Sequence, residues 1–252
     1  MPPGSLVVVG HGITGGQVTS QAEVEIRIAD IVLSLTSDPV AKAFVVHWAR
    51  EYVDVSDAYQ EGRGRPVIYA DIANRVLEPV RAGRRVCFVT YGHPGVLSAI
   101  TRMAIRQARA EGFPARMLPG ISAEACLYAD LGVDPGEEGI QSYQATQLLC
   151  NEKIWDPTTP LILWQIGLVG DDAHHANYPN SLLSRLVEKL VAVYGPNHEA
   201  VIYEAATLPY VPFRADRVAL AELPRAELSA CSTLLVEPLT TNPADPDATR
   251  GG

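Results

Sequence analysis

Apolar residues in the first half of the chain fall into short unbroken runs separated by stretches of helical spacing. Leu6 to Val9 is a β-branched run that ends in Gly10-His11-Gly12, and Val24, Ile28 and Ile31 then recur at helical intervals. This predicts strand, glycine loop and a helix over about 19–30. A second run, Ile31 to Leu35, precedes a helix predicted over 39–50, and a third, Val86 to Thr90, follows a helix over about 71–82. Runs that do not alternate mark strands covered on both faces, so the βαβα order predicts a parallel sheet between helices. Tyr91-Gly92-His93-Pro94-Gly95 breaks the chain after the third of these strands, a helix follows over about 97–111, and Ala115 to Leu118 reads as the next strand. Pro119-Gly120 turns into a helix beginning near Ser122.

After about Gly132 the pattern changes. Short runs at Ile140 to Tyr143, Leu161 to Ile166, Ala200 to Tyr203 and Ser232 to Val236 are separated by turns and one amphipathic helix over 182–193. The Leu182, Leu183, Leu186, Leu190 stripe of that helix is assigned to a core. A domain boundary is expected near 120–135, Gly167 to Asn180 as a surface loop, and 240–252 as a disordered polar tail. There is no internal repeat.

Composition narrows the class. With 252 residues, 47% hydrophobic and 19% charged, the chain is long enough for one large or two smaller folded domains. A formal net charge of −9 opposes a nucleic-acid partner unless a basic patch overrides it, and no such patch is evident. Cys87, Cys126, Cys150 and Cys231 form no C-x-x-C pair and are expected as buried free thiols. The apolar run at the N-terminus is too short for a signal peptide, and no stretch is long enough to span a membrane, so a cytoplasmic protein is expected.

Three strand ends carry candidate chemistry. Glycines after a strand let backbone approach a ligand, and open α/β sheets bind ligands at the carboxyl ends of their strands. Val9-Gly10-His11-Gly12 fits that idea but also fits a plain tight turn, and it lacks the G-x-G-x-x-G dinucleotide pattern. Tyr91-Gly92-His93-Pro94-Gly95-Val96 puts an aromatic ring and an imidazole at the same edge. In Leu118-Pro119-Gly120-Ile121-Ser122-Ala123-Glu124, capping of the helix explains Ser122 without any ligand. Three such ends in one sheet together favour a cofactor crevice over coincident turns. His174 and His175 are adjacent in a polar stretch, lack the spacing of a metal pair, and are read as non-ligating.

The order of VVGHG, YGHPGV and MLPGISAE along the chain resembles the tetrapyrrole-methylase family of S-adenosylmethionine (SAM)-dependent enzymes. The stretch 115–147, ARMLPGISAEACLYADLGVDPGEEGIQSYQATQ, is similar to the narrower borosin group, whose members methylate backbone amides of a precursor peptide. So are YQEGRGRPVIY from Tyr59 to Tyr69 and the segments LILWQIG, VIYEAATLP and CSTLLVEP. The resemblance implies a two-domain α/β fold. A parallel-sheet N-terminal domain over 1–125 would carry the glycine loops and the Tyr/Arg segment, and a mixed-sheet C-terminal domain over 126–239 would complete the SAM site. By position it makes Arg65, Tyr69 and Tyr91 catalytic, with Tyr59 beside them at the substrate. Contacts to SAM would come from Tyr91, His93, Val96, Ala123, Gln165, Ala206, Ser232 and Thr233, with Gly10, Gly12 and Ser122 added from the glycine-bearing strand ends. Where related enzymes often carry a further tyrosine, three residues before Tyr59, this chain has Ser56, a departure that bears on substrate packing.

A peptide nitrogen is a poor nucleophile because its lone pair is delocalised into the carbonyl, so its proton must leave for methylation to proceed. A free phenol ionises near pH 10, roughly, and a cation such as Arg65 would be needed to favour a basic tyrosine. Tyr69 is the first choice for that base. Arg65 or a tyrosine hydroxyl would stabilise charge growing on the amide oxygen. From spacing alone, Tyr59 to Tyr69 reads rather as a solvated loop entering a helix, with Arg63 and Arg65 facing water, and only the resemblance reverses that preference. The resemblance also implies a homodimer. Because TTNPADPDATRGG holds no apolar run to be methylated, the expected substrate is a separate precursor peptide. Two rivals are a methylase acting on a tetrapyrrole carbon and a SAM-binding protein without turnover.

Overall fold

The structure is a computed structural model that describes residues 4–36, 38–208 and 210–239. Contacts divide it into two compact units. The first holds the residues up to Asp130 together with Asp172–Ala176 and Ala205–Phe213; the second holds the rest.

In the first unit, strands β1 (Ser5–Gly10), β2 (Ile31–Leu35), β3 (Tyr52–Asp54), β4 (Arg85–Thr90) and β5 (Ala115–Met117) form one parallel sheet in the order β3-β2-β4-β1-β5. Helices α1 (Ser20–Ile28), α2 (Pro39–Trp48), α3 (Arg65–Arg81), α4 (Ala99–Ala110) and α5 (Ala123–Leu131) connect and follow the strands. Alternate residues of each strand feed two separate cores, which is why the strand runs are apolar throughout. Leu6, Val8, Leu33 and Phe88 pack with Ile68, Ile72, Val76 and Ile105 on one face. Val7, Val9, Val32 and Val89 pack with Ala22, Ile26 and Val45 on the other. Fully burying one such side chain is worth roughly 1.5–3 kcal/mol.

In the second unit, β6 (Gln141–Gln144), β7 (Leu161–Trp164), β8 (Glu199–Glu204), β9 (Arg214–Ala219) and β10 (Thr233–Val236) form a mixed sheet in the order β6-β7-β10-β8-β9. β6 and β7 run parallel, and the other pairs are antiparallel. Helices α6 (Ala145–Cys150) and α7 (Leu183–Tyr194) accompany it. Leu183, Leu186 and Leu190 of α7 are buried in its core and Leu182 packs against them, as the stripe predicts.

Several expectations need correction. The helix expected from about 71 begins at Arg65, because Pro66 falls in its first turn, where a missing N–H costs nothing. Cys87 is buried, and burial pushes its thiol far up, but Cys126 is half-buried and Cys150 and Cys231 are exposed. The stretch Gly167–Asn180 is not a simple surface loop. Ile166–Leu168 is a buried 3-10 turn, and Asn180 ties it down by donating to the Ile166 carbonyl at 2.8 Å and accepting from the Val169 N–H at 2.8 Å. The tail 240–252 lies outside the described residues. Among the described residues no helix is long and apolar enough to cross a membrane.

Candidate functional site

The glycine-bearing ends of β1, β4 and β5 come together. A Cβ on Gly10 would lie 1.9 Å from the Gly92 carbonyl oxygen, and one on Gly120 would lie 3.1 Å from the same atom. The Gly92 N–H donates to the Gly12 carbonyl at 2.9 Å, with φ of +66° at Gly92 and +78° at Gly12. Backbone stacked on backbone is therefore why glycine is needed at Gly10, and the left-handed φ is why it is favoured at Gly92, independently of any ligand.

Around this junction polar groups are buried. His11 is fully enclosed, and among the described residues neither of its ring nitrogens has a hydrogen-bond partner; the Thr90 hydroxyl beside it is in the same state. Burial holds the His11 imidazole below its ordinary pKa, against an opposing pull from Asp38. The ring of Tyr91 meets His11 edge-on, with centroids 5.8 Å apart. The loop that follows is braced. His93 Nδ1 accepts from the Gly95 N–H at 2.9 Å, so in the neutral ring Nε2 carries the proton, and the Val96 N–H donates to the His93 carbonyl at 3.0 Å. Val96 and Leu97 are exposed. Ser122 Oγ accepts from the Ala125 N–H at 3.2 Å, the capping role that its position suggests, and Ala123 opens α5.

The Tyr/Arg segment is more ordered than a solvated loop. Arg65 is the first residue of α3, and Tyr69 follows one turn later, so the two share a helix face. Nε and Nη2 of Arg65 are sealed from solvent. Tyr59 and Tyr69 lean against the core on the α3 side of the sheet. Arg63 is only partly exposed to water; it donates to Asp71 at 2.9 Å and to the Ala58 carbonyl at 3.0 Å. Asp71 also takes Arg75, which reaches Asp57 at 2.7 Å, and these guanidinium groups, Arg75 first and Arg63 next, hold the Asp71 carboxyl below its usual range.

In the second unit, Gln165 sits in the left-handed region with φ 61° and ψ 44°, a conformation that a side-chain-bearing residue adopts at a cost. The next residue, Ile166, donates its N–H to the Ser232 carbonyl at 3.0 Å, so Gln165 and Ser232 lie close together. Ser232 Oγ is hydrogen-bonded to Glu204, and Thr233 is buried on β10. Ala206 is half-buried and falls in the first unit. Sequence reasoning named His11 only as part of a glycine turn, gave Thr90 no role, and took Asp172–Ala176 as part of a surface loop with His174 and His175 non-ligating. Among the described residues no three His, Cys, Asp or Glu side chains cluster as metal ligands.

The profile of the Tetrapyrrole (Corrin/Porphyrin) Methylases matches residues 5–219. The chain belongs to the tetrapyrrole-methylase family. That membership puts it among the SAM-dependent methyltransferases. Among solved members of the fold, uroporphyrin-III C-methyltransferase from Thermus thermophilus aligns with a TM-score of 0.66 at 18% identity, covering 93% of this chain and 92% of that one. A second structure of that enzyme, complexed with S-adenosyl homocysteine, aligns with a TM-score of 0.62 at 17% identity, with the same coverage. At such identities the likeness is one of fold. Sequence similarity is higher elsewhere in the family. A methyltransferase/cyclic peptide dendrothelin A precursor from Dendrothele bispora is 38% identical over 98% of this chain and 61% of its own length. Methyltransferase/borosin cyclic peptide precursors from Anomoporia bombycina (type III) and Mycena rosella (type I) are each 37% identical, over 96% and 98% of this chain. The chain spans 61%, 29% and 63% of the length of these three relatives. The family implies SAM as cofactor, and the first unit's residues fit it. Exposed Val96 and Leu97 offer apolar surface beside the His93 imidazole, and buried polar atoms at His11 and Thr90 lie one loop away.

Proposed function

We propose that this chain is a SAM-dependent methyltransferase acting on backbone amide nitrogens of a precursor peptide, presented to it as a separate chain, with a homodimer as the working assembly. The observation that carries the reading is the placement of Arg65 and Tyr69 one turn apart on the same face of α3, with two guanidinium nitrogens of Arg65 shielded from water. A cation out of water acts on neighbouring charge far more strongly than an exposed one. The similarity of 37–38% to proteins named as joint methyltransferases and peptide precursors supports the choice of a peptide.

SAM, when bound, supplies an electrophilic methyl group on a sulfonium. The chain's own residues must then make an amide nitrogen attack it. Tyr69 takes the amide proton, and Arg65 stabilises the negative charge that spreads onto the amide oxygen as the proton leaves. Tyr91, at the end of β4, and Tyr59, ahead of α3, line the substrate. Tyr91, His93, Val96 and Ala123 hold the cofactor.

Calorimetric titration with SAM followed by a single-turnover assay on an added apolar peptide tests this reading. Tyr69→Phe is expected to keep SAM affinity and to slow transfer by about 10²–10⁴-fold, the usual contribution of a general base. A variant that transfers at the wild-type rate would remove Tyr69 from the reaction. A wild-type chain that binds SAM but methylates no peptide would leave only a binding protein.

A further inference from the structure

We infer that the five-residue segment Asp172–Ala176 is a positioning strap for the peptide site, with His174 its peptide-positioning residue; the inference rests on the function proposed above. The segment lies more than a hundred residues from Tyr59 in sequence, yet it belongs to the first unit and is laid along the approach to α3. Gly64 and Ala173 pair as an antiparallel bridge. The Gly62 N–H donates to the His174 carbonyl at 2.8 Å, and the His174 N–H donates to the Arg63 carbonyl at 3.0 Å. The Arg65 N–H, which as a first-turn helix donor has no partner within its own helix, donates to the Asp172 carbonyl at 2.8 Å. Glu61 clamps the far end, with one carboxylate oxygen 2.8 Å from His175 Nδ1 and the other accepting from the Ala176 N–H at 2.8 Å.

These bonds are a large polar investment for a segment whose residues are all exposed or half-buried and which joins no hydrophobic core. The segment also makes an aromatic contact with Tyr59. The imidazole of His174 meets the Tyr59 ring edge-on, with centroids 5.3 Å apart and planes at 80°. Both main-chain groups of His174 are engaged, so its backbone is held beside the start of α3, and the ring contact bears on the orientation of Tyr59 from this side. Tyr59 opens the Tyr59–Tyr69 segment, three residues after Ser56, whose small side chain adds no ring there. His174 thus furnishes aromatic surface next to Tyr59 that helps seat an extended peptide with apolar side chains, while leaving the proton-transfer residues alone.

The test is steady-state methylation of one apolar peptide by wild type, His174→Ala and His174→Phe, with SAM affinity measured on each. His174→Ala is expected to raise KM for the peptide by about 2- to 10-fold, the loss of one aromatic edge contact, with kcat and SAM affinity unchanged. His174→Phe, which keeps a ring, is expected to restore KM. Glu61→Gln, which loosens the clamp, should shift KM in the same direction. An unchanged KM in His174→Ala, no rescue by His174→Phe, or loss of folding in both variants would overturn the assignment alone. A wild type that methylates no peptide would overturn the proposed function and this inference with it.

Discussion

His11 illustrates what a single residue contributes and conceals. Its imidazole is enclosed with no hydrogen-bond partner at either nitrogen among the described residues, and burial lowers its pKa from the ordinary value of about 6.5. As pH falls below that value the unfolded chain takes up a proton that the folded chain refuses, so stability declines with acidification until the depressed folded pKa is passed. The denaturant midpoint is therefore expected to fall between about pH 7 and pH 5, and more shallowly in His11→Ser than in wild type. Equal slopes in the two would show that His11 does not titrate differently in the folded state. None of this was legible beforehand, since a histidine in a glycine loop reads the same whether sealed or exposed. The chemistry proposed for Arg65 and Tyr69 is suggested only by the resemblance; their residue types alone read as a wet loop. His174 was invisible as a partner of Tyr59, because nothing in a His-His pair points to a residue so distant in sequence.

At the scale of elements, the apolar runs of β1, β2 and β4 were readable because both their faces are covered, and α7 because its leucines recur at helical spacing. β3 and β9 were not. Each is a sheet edge, β3 only three residues long and β9 carrying Arg214, Asp216 and Arg217, and such edges have no apolar run to detect. The start of α3 was hidden by Gly64 and Pro66, which signal a loop as readily as a helix N-terminus. That start is tied back by Asp71, which joins Arg63 ahead of the helix to Arg75 one turn on, and through Arg75 reaches Asp57. These pairs are partly exposed, so Asp71→Asn should cost no more than about 1 kcal/mol of stability. Its effect should instead be local, as faster amide hydrogen exchange over 57–64 with the sheet unchanged. Protection identical to wild type in that segment would show that the ion-pair network does not order it.

For the whole molecule, a parallel α/β half followed by a mixed-sheet half could be read from the change in pattern after about Gly132. The return of Asp172–Ala176 and Ala205–Phe213 to the first unit could not, because the strap is held by backbone pairing and carries no hydrophobic periodicity. Two halves built this way are shared across a family whose members modify quite different molecules, so the fold identifies methyl transfer more readily than its target. On the function proposed above, the target depends on a few side chains around the start of α3. The most direct measurement is fragmentation mass spectrometry of an apolar peptide after incubation with the chain and SAM. The account predicts added methyl groups, each localised to a backbone amide nitrogen. Methyl groups confined to side chains or termini, or none on any peptide alongside methylation of a tetrapyrrole carbon, would contradict it.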